Sequence, residues 1–245
     1  MTRREPELIG QTVVVIGGSA GIGLETARRA RGEGADVVLA ARNPERLESA
    51  AREVGARGTA AFDATDAAAL KRFFDDLPEP IDHVMVTGPG PDYAPLLEMD
   101  ADQVRAALGG HAVLTLAVAR SAAGKMRPGG SLIFMGGTGG RRISRDLGIV
   151  SAATATLPPL IATLALELAP VRVNLIAAGF VDTPLSASFF SDEGLEARRE
   201  ELRRTLPIRR VVGPEDVAAL AVHLMANTAL TGATYDIDGG QQFVA

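Results

Sequence analysis

Thr12-Val13-Val14-Val15-Ile16 runs into Gly17-Gly18-Ser19-Ala20-Gly21-Ile22-Gly23 and then into Leu24-Glu25-Thr26-Ala27-Arg28-Arg29-Ala30. The order is a short β-branched run, a glycine turn and a helical pattern. Glycines at such a turn let the backbone bend sharply and approach a pyrophosphate, whose charge the N-terminus of the following helix meets. The spacing is G-x-x-x-G-x-G, which differs from the commoner G-x-G-x-x-G dinucleotide fingerprint. Strand and helix nevertheless flank the turn on the correct sides, so the segment predicts a nucleotide site at the first strand-to-helix turn.

Outward from this unit, apolar runs and helical patterns alternate along the whole chain. Strands are expected at 37–41, 59–62, 81–86, 131–135, 171–177 and 234–237, and helices over 44–54, 66–76 and 101–125. Regular βαβ alternation calls for one α/β domain over residues 1–245. It should be a Rossmann-type, doubly wound parallel sheet of about seven strands with helices on both faces. Two segments break the rhythm. Residues 136–146 are rich in Gly and Arg and read as an open loop; residues 180–204 begin as a loop and become a charged helix near Glu193, forming a small cap. Both follow strand ends, so both should overhang the ligand crevice.

The bulk properties narrow the field. The chain has 245 residues, 47% hydrophobic and 22% charged, enough for one sizeable core. A formal net charge of -5 with no Lys/Arg block speaks against a nucleic-acid partner. The absence of cysteine removes disulfides, thiolate nucleophiles and Cys-ligated zinc, and no His/Asp/Glu spacing suggests another metal site. Leu147 to Leu166 is uncharged for long enough to span a bilayer. Pro158-Pro159, with Ser151, Thr154, Thr156 and Thr163 around them, read it instead as a buried or interface helix that kinks near Thr156. Met1 to Glu7 lacks the apolar core of a signal peptide, so a cytoplasmic protein without a membrane partner is expected.

Several landmarks in register resemble the short-chain dehydrogenase/reductase family along nearly the whole chain. Gly17, Gly21 and Gly23 match its cofactor glycines, with Ser19 and Ile22 between them. Asp63-Ala64-Thr65 matches an acidic motif that contacts adenine. Thr87-Gly88-Pro89-Gly90 stands where the family has Asn-Asn-Ala-Gly. Ala178-Gly179-Phe180-Val181-Asp182-Thr183-Pro184 resembles the P-G-x-V-x-T segment, whose Thr holds the nicotinamide carboxamide; Gly213 to Val217 and Thr231 to Gly240 match its C-terminal pattern. The resemblance implies a nicotinamide dinucleotide held by Gly17, Ser19, Gly21, Ile22, Gly23, Asp63, Ala64, Thr87, Gly88 and Thr183. Charge selects the type: the second strand ends Ala40-Ala41-Arg42, a cation where a ribose-binding acid would favour NAD, so Arg42 favours NADP(H) over NAD(H).

The family's catalytic residues do not carry over. Anchored on Leu164 to Pro170, its Tyr position is Val150, its Lys position Thr154 and its Ser position Gly137; its relay Asn falls on His111. No local slip restores them, because the tyrosines are Tyr93 and Tyr235 and the last lysine is Lys125. His111, Tyr93 and Ser144 are the remaining catalytic candidates, the last in a loop where Arg141, Arg142 and Arg145 could bind an anion. Three readings stay open: an NADP(H)-dependent oxidoreductase acting on a carbonyl or alcohol by a non-standard proton route, a non-redox catalyst using the same pocket, and a cofactor-binding pseudoenzyme. A small-molecule substrate is expected, anionic by the arginines or apolar by Phe180, Phe189 and Phe190. The apolar helices around 112–123 and 161–166 resemble the family's dimer face and imply a homodimer or homotetramer.

Overall fold

The computed structural model describes residues 7–88, 90–91, 93–141 and 147–244. Seven parallel strands form one sheet: β1 (Thr12–Ile16), β2 (Asp36–Ala41), β3 (Gly58–Ala61), β4 (Ile81–Val86), β5 (Met126–Gly137), β6 (Arg172–Ala178) and β7 (Thr234–Ile237). Their order is β3-β2-β1-β4-β5-β6-β7. The chain therefore winds outward from β1 to β3, returns to the other side of β1 with β4, and winds outward again. The reversal lies between β1 and β4, so the ligand crevice belongs beyond their carboxyl ends.

Alternation along the central strands makes two cores. Val14, Ile16, Val84, Val86, Leu132, Phe134, Val173 and Leu175 face one layer of helices. That layer comprises α3 (Ala67–Asp76), α4 (Ala101–Ala122) and, beyond α5 (Ile149–Ala155), α6 (Leu157–Glu167). Val13, Val15, Val37, Leu39, Met85, Ile133 and Ile176 face the other, formed by α1 (Gly21–Gly32), α2 (Pro44–Val54) and α9 (Pro214–Ala226). Strands buried on both faces read as unbroken apolar runs, as those of a covered parallel sheet must.

Helix boundaries follow local chemistry. Asn43 caps α2 by accepting from the Arg46 N–H at 2.8 Å, Pro44 occupies its first turn, and Gly55 closes it at φ +68°. Asp100 and Gln103 form a capping box on α4. The break near Thr156 is present: α5 ends at Ala155 and α6 starts at Leu157, with Pro158 where a missing N–H is harmless. Taken together, 149–167 has the length and composition to cross a membrane, but Leu157, Ile161 and Leu164 are buried in the first core.

Three sequence expectations need correction. Helix α4 stops at Ala122 and not at 125, while β5 begins at Met126, five residues before the apolar run, with a register shift opposite Ile81 and His83. The loop expected from residue 136 is strand to Gly137 and a 3-10 turn over Thr138–Arg141. His83 is buried within β4, its Nδ1 2.8 Å from Ser131 Oγ and its Nε2 2.6 Å from Gln11 Oε1. The cap helix α8 (Asp192–Thr205) lies where the charge pattern put it, after a short α7 (Pro184–Ala187).

Burial lowers the His83 pKa to about 4. The unfolded chain, with a histidine pKa near the ordinary 6.5, binds a proton between these values that the folded chain does not. Stability should therefore be full above about pH 6.5 and fall as the pH drops toward 4. Urea unfolding should show a loss of about 2 kcal/mol between pH 7 and pH 5 on this account, and His83→Asn should flatten that slope.

Candidate functional site

The site begins at the reversal between β1 and β4. The Thr87 N–H donates to Ile16 O at 3.0 Å, and the Thr87 hydroxyl donates to the same oxygen at 3.2 Å. Gly17 follows at φ +90°, and a Cβ on it would overlap the Thr87 hydroxyl. A Cβ on Gly23 would overlap the Gly17 carbonyl. Glycine is required at both places, once by backbone conformation and close approach and once by close approach alone. Helix α1 opens at Ala20 without a side-chain cap. Its first N–H groups therefore lack helical acceptors in a turn that lines a crevice, the arrangement that receives an anion.

That crevice encloses about 360 Å³. Gly17, Ser19, Gly21, Ile22 and Gly23 line it, as do Arg42 at the end of β2, Asp63 and Ala64 after β3, Thr87 and Gly88 after β4, and Thr183 from the cap. The structure thus brings together every residue that the sequence offered for a nucleotide. Asp63 Oδ1 accepts from the Thr65 N–H at 2.9 Å and hydroxyl at 2.8 Å. These bonds, the backbone one first, hold its carboxyl below the usual range, with a smaller effect of the Arg42 charge. Arg46 is the residue that sequence reading missed. The Asn43 cap starts α2 so that Arg46 falls in its first turn, on the same crevice wall as Arg42. The signal was there: a capping Asn before Pro44 fixes where the helix starts, and hence where Arg46 sits. No hydrogen bond or ion pair to another described residue occupies either guanidinium.

A second, larger cavity of about 970 Å³ adjoins the first and shares Ile22, Thr65, Thr87, Gly88 and Thr183 with it. Gly137, Val150 and Thr154 meet on its wall. A Cβ on Gly137 would sit 3.2 Å from Thr154 Cγ2, and the Thr154 hydroxyl donates back to Val150 O at 2.9 Å. No titratable group stands at these three positions. His111 enters from α4 opposite Gly88, whose Cβ position lies 2.8 Å from His111 Nδ1. Its ring has no hydrogen-bond partner among the described residues, and burial lowers its pKa. Tyr93 packs edge-on against Phe189 with centroids 5.2 Å apart, and its pKa is raised by burial. Ser144, Arg142 and Arg145 lie outside the described residues. Arg141 is occupied, pairing with Asp236 and donating to Gln242 Oε1 at 3.1 Å. Phe180, Phe189 and Phe190 line the cavity from the cap side, joined by Arg198 of α8, which the sequence did not single out among its many cap charges.

Residues 17–242 match the family described as Enoyl-(Acyl carrier protein) reductase. A short-chain dehydrogenase/reductase, ATR9, from Stachybotrys chlorohalonatus is 28% identical, covering 96% of this chain and 98% of its own. Sorbitol dehydrogenase of Cereibacter sphaeroides is 30% identical over 95% of this chain and 98% of its own. A crystal structure of a small-chain dehydrogenase in complex with NADPH superposes with a TM-score of 0.81 at 25% identity, over 96% of this chain and 99% of the other. The chain belongs to the short-chain dehydrogenase/reductase family, whose fold binds a nicotinamide cofactor.

The close approach at Gly17 can be measured. Gly17→Ala should destabilise by more than about 2 kcal/mol, combining about 1–2 kcal/mol of left-handed backbone strain with the overlap at Thr87. Adding Thr87→Ala should relieve only the overlap, giving a favourable coupling of about 1 kcal/mol in a double-mutant cycle of urea unfolding.

Proposed function

We propose that this protein is an NADP(H)-dependent oxidoreductase acting on a carbonyl or alcohol, with a proton route that does not use the family's Tyr and Lys. The observation that carries this reading is the crevice itself. A glycine turn shaped for close approach and an uncapped helix start suit a pyrophosphate; Arg42 after β2 and Arg46 in the first turn of α2, both unpaired among the described residues, suit a phosphate on the adenosine ribose. Thr183, within reach of the Gly21 turn, and Thr87 would hold the nicotinamide end at the boundary of the larger cavity. When bound, the nicotinamide supplies or accepts the hydride.

The proton falls to what the chain offers. His111 reaches the cavity with both ring nitrogens unpartnered among the described residues. Its lowered pKa makes the ring neutral at pH 7. A neutral imidazole can accept the proton of an alcohol directly, and can donate an N–H hydrogen bond to a carbonyl oxygen. Alcohol oxidation should therefore rise with pH through a pKa below the ordinary 6.5 and stay high at neutral pH. Tyr93 is the second donor in the cavity, further out and neutral throughout this range. The bare wall at Gly137, Val150 and Thr154 favours a second reading, a pocket that binds the cofactor without net redox turnover.

In α4, Val113 is 65% exposed and Leu116 39%, and in α6 Leu166 is 82% exposed. We propose a homodimer or homotetramer that covers this apolar face. Light scattering at micromolar concentration should give a multiple of the 25.5 kDa chain mass, and Val113→Glu should reduce it.

Cofactor choice is the first experiment. NADPH should bind at micromolar concentration and NADH far more weakly. Arg42→Ala and Arg46→Ala should each weaken NADPH by about tenfold to a hundredfold, the value of one charge-assisted contact, while leaving NADH nearly unchanged. A carbonyl panel followed by NADPH absorbance then separates turnover from binding alone, and turnover should fall at least a hundredfold in His111→Ala.

A further inference from the structure

The larger cavity is apolar, walled on one side by Ala106, Ala107 and Gly110 of α4 and on another by Leu147, Ile149, Val150 and Ala153. Among its described lining residues there is no Asp or Glu, and Arg198 is the one permanent charge. A guanidinium in such surroundings needs an explanation. Its neighbours on α8 have one: Arg199 grips Asp182 with two bonds of 2.9 and 2.8 Å and so fastens the cap to the end of β6, and Arg203 pairs with Glu196 at 2.8 Å. Among the described residues Arg198 makes no hydrogen bond or ion pair to another element. It pairs only with Glu201 on its own helix, at 2.6 Å, and its charge lies 5.9 Å from the centre of the Phe180 ring. An i,i+3 pair of this exposure contributes only a few tenths of a kcal/mol. One Nη1 bond leaves the rest of the fork's donors for a ligand.

The rings beside it strengthen the case. Phe180 and Phe190 meet edge-on at 6.3 Å, and Tyr93 meets Phe189 at 5.2 Å, so Arg198 sits within an aromatic rim. Its charge is felt across that rim, since it partly offsets the effect of burial on Tyr93. Rings displace water, and a charge near them attracts an opposite charge more strongly than it would in solution. Arg141, the described member of the arginine loop that the sequence suggested for this task, is instead spent on Asp236 and Gln242.

We infer that the substrate is an apolar organic anion, a ring or chain body seated among Phe180, Phe189, Phe190 and Val150 with a carboxylate-like group on Arg198. This rests on reading the larger cavity as the substrate pocket, and its test does not require turnover. The probes are 8-anilino-1-naphthalenesulfonate and its uncharged counterpart N-phenyl-1-naphthylamine, titrated by fluorescence into the full chain, alone and saturated with NADPH. Both should bind, the sulfonate more tightly and with NADPH present as well as absent. Arg198→Gln should weaken the sulfonate about tenfold or more, the value of a charge-assisted contact, and leave the uncharged probe within twofold. Phe189→Ala should weaken both alike, and Arg42→Ala should affect neither. The inference is overturned if neither probe binds, if Arg198→Gln leaves the sulfonate unchanged, or if it weakens both probes equally. Failure of NADPH to bind while the probe pattern holds would instead remove the cofactor reading and leave this one standing.

Discussion

The close approach of the turn after β1 to the end of β4 is the constraint on which the molecule depends. Thr87 is tied to Ile16 by its N–H and its hydroxyl, Gly17 lies against that hydroxyl, and Gly23 lies against Gly17. These contacts leave no room for a side chain. They bring the start of α1, the end of β1 and the end of β4 to one point, the point where the strand order reverses. The sheet supplies rigidity, because Val13, Val14 and Val15 are wholly buried between two layers of helices. The crevice is thus the opening that remains when a doubly wound sheet is closed around a turn made of glycine.

What the sequence shows depends on how strongly each signal is repeated. The central strands were legible because a strand buried on both faces has no polar position, and a run such as Thr12 to Ile16 has no competing helical pattern. The crevice beyond β1 and β4 was legible because its landmarks are glycines and short polar groups in fixed order. Edges were not. The start of β5 was hidden because Met126 to Gly130 holds Pro128 and two glycines, and it joins the sheet through a register shift opposite Ile81, not through an apolar pattern. His83 was hidden for the opposite reason. A histidine in an apolar strand looks like a flank until Gln11, seventy-two residues away, and Ser131 are seen to satisfy both its nitrogens.

The same logic separates the arginines. From sequence, Arg141 and the cap arginines are equivalent cations in loops or on a polar helix. Their fate is set by distant carboxylates: Asp236 takes Arg141, Asp182 takes Arg199, and Glu196 takes Arg203. None of these pairings is encoded by local spacing except the one within the helix. Arg42 and Arg46, on the exposed rim of the crevice at one end of the site, have no such partner among the described residues.

At the other end Arg198 pairs only with Glu201 of its own helix, and the two ends define a division of labour. The cationic end lies beyond β2 and is exposed, suited to a strongly hydrated phosphate. The aromatic end lies beside the cap, with the Arg198 charge near the Phe180 ring, and suits a weakly hydrated body carrying one charge. Between them, at the boundary of the two cavities, the structure places Thr87, Gly88 and Thr183, with His111 facing Gly88. A hydride donor and its acceptor must meet at that boundary if each is held by its own charge. The wall behind it bears Gly137, Val150 and Thr154 and, among the described residues, no titratable group. On the proposed redox reading the proton would come from the α4 side, where His111 stands, and not from the α5 side.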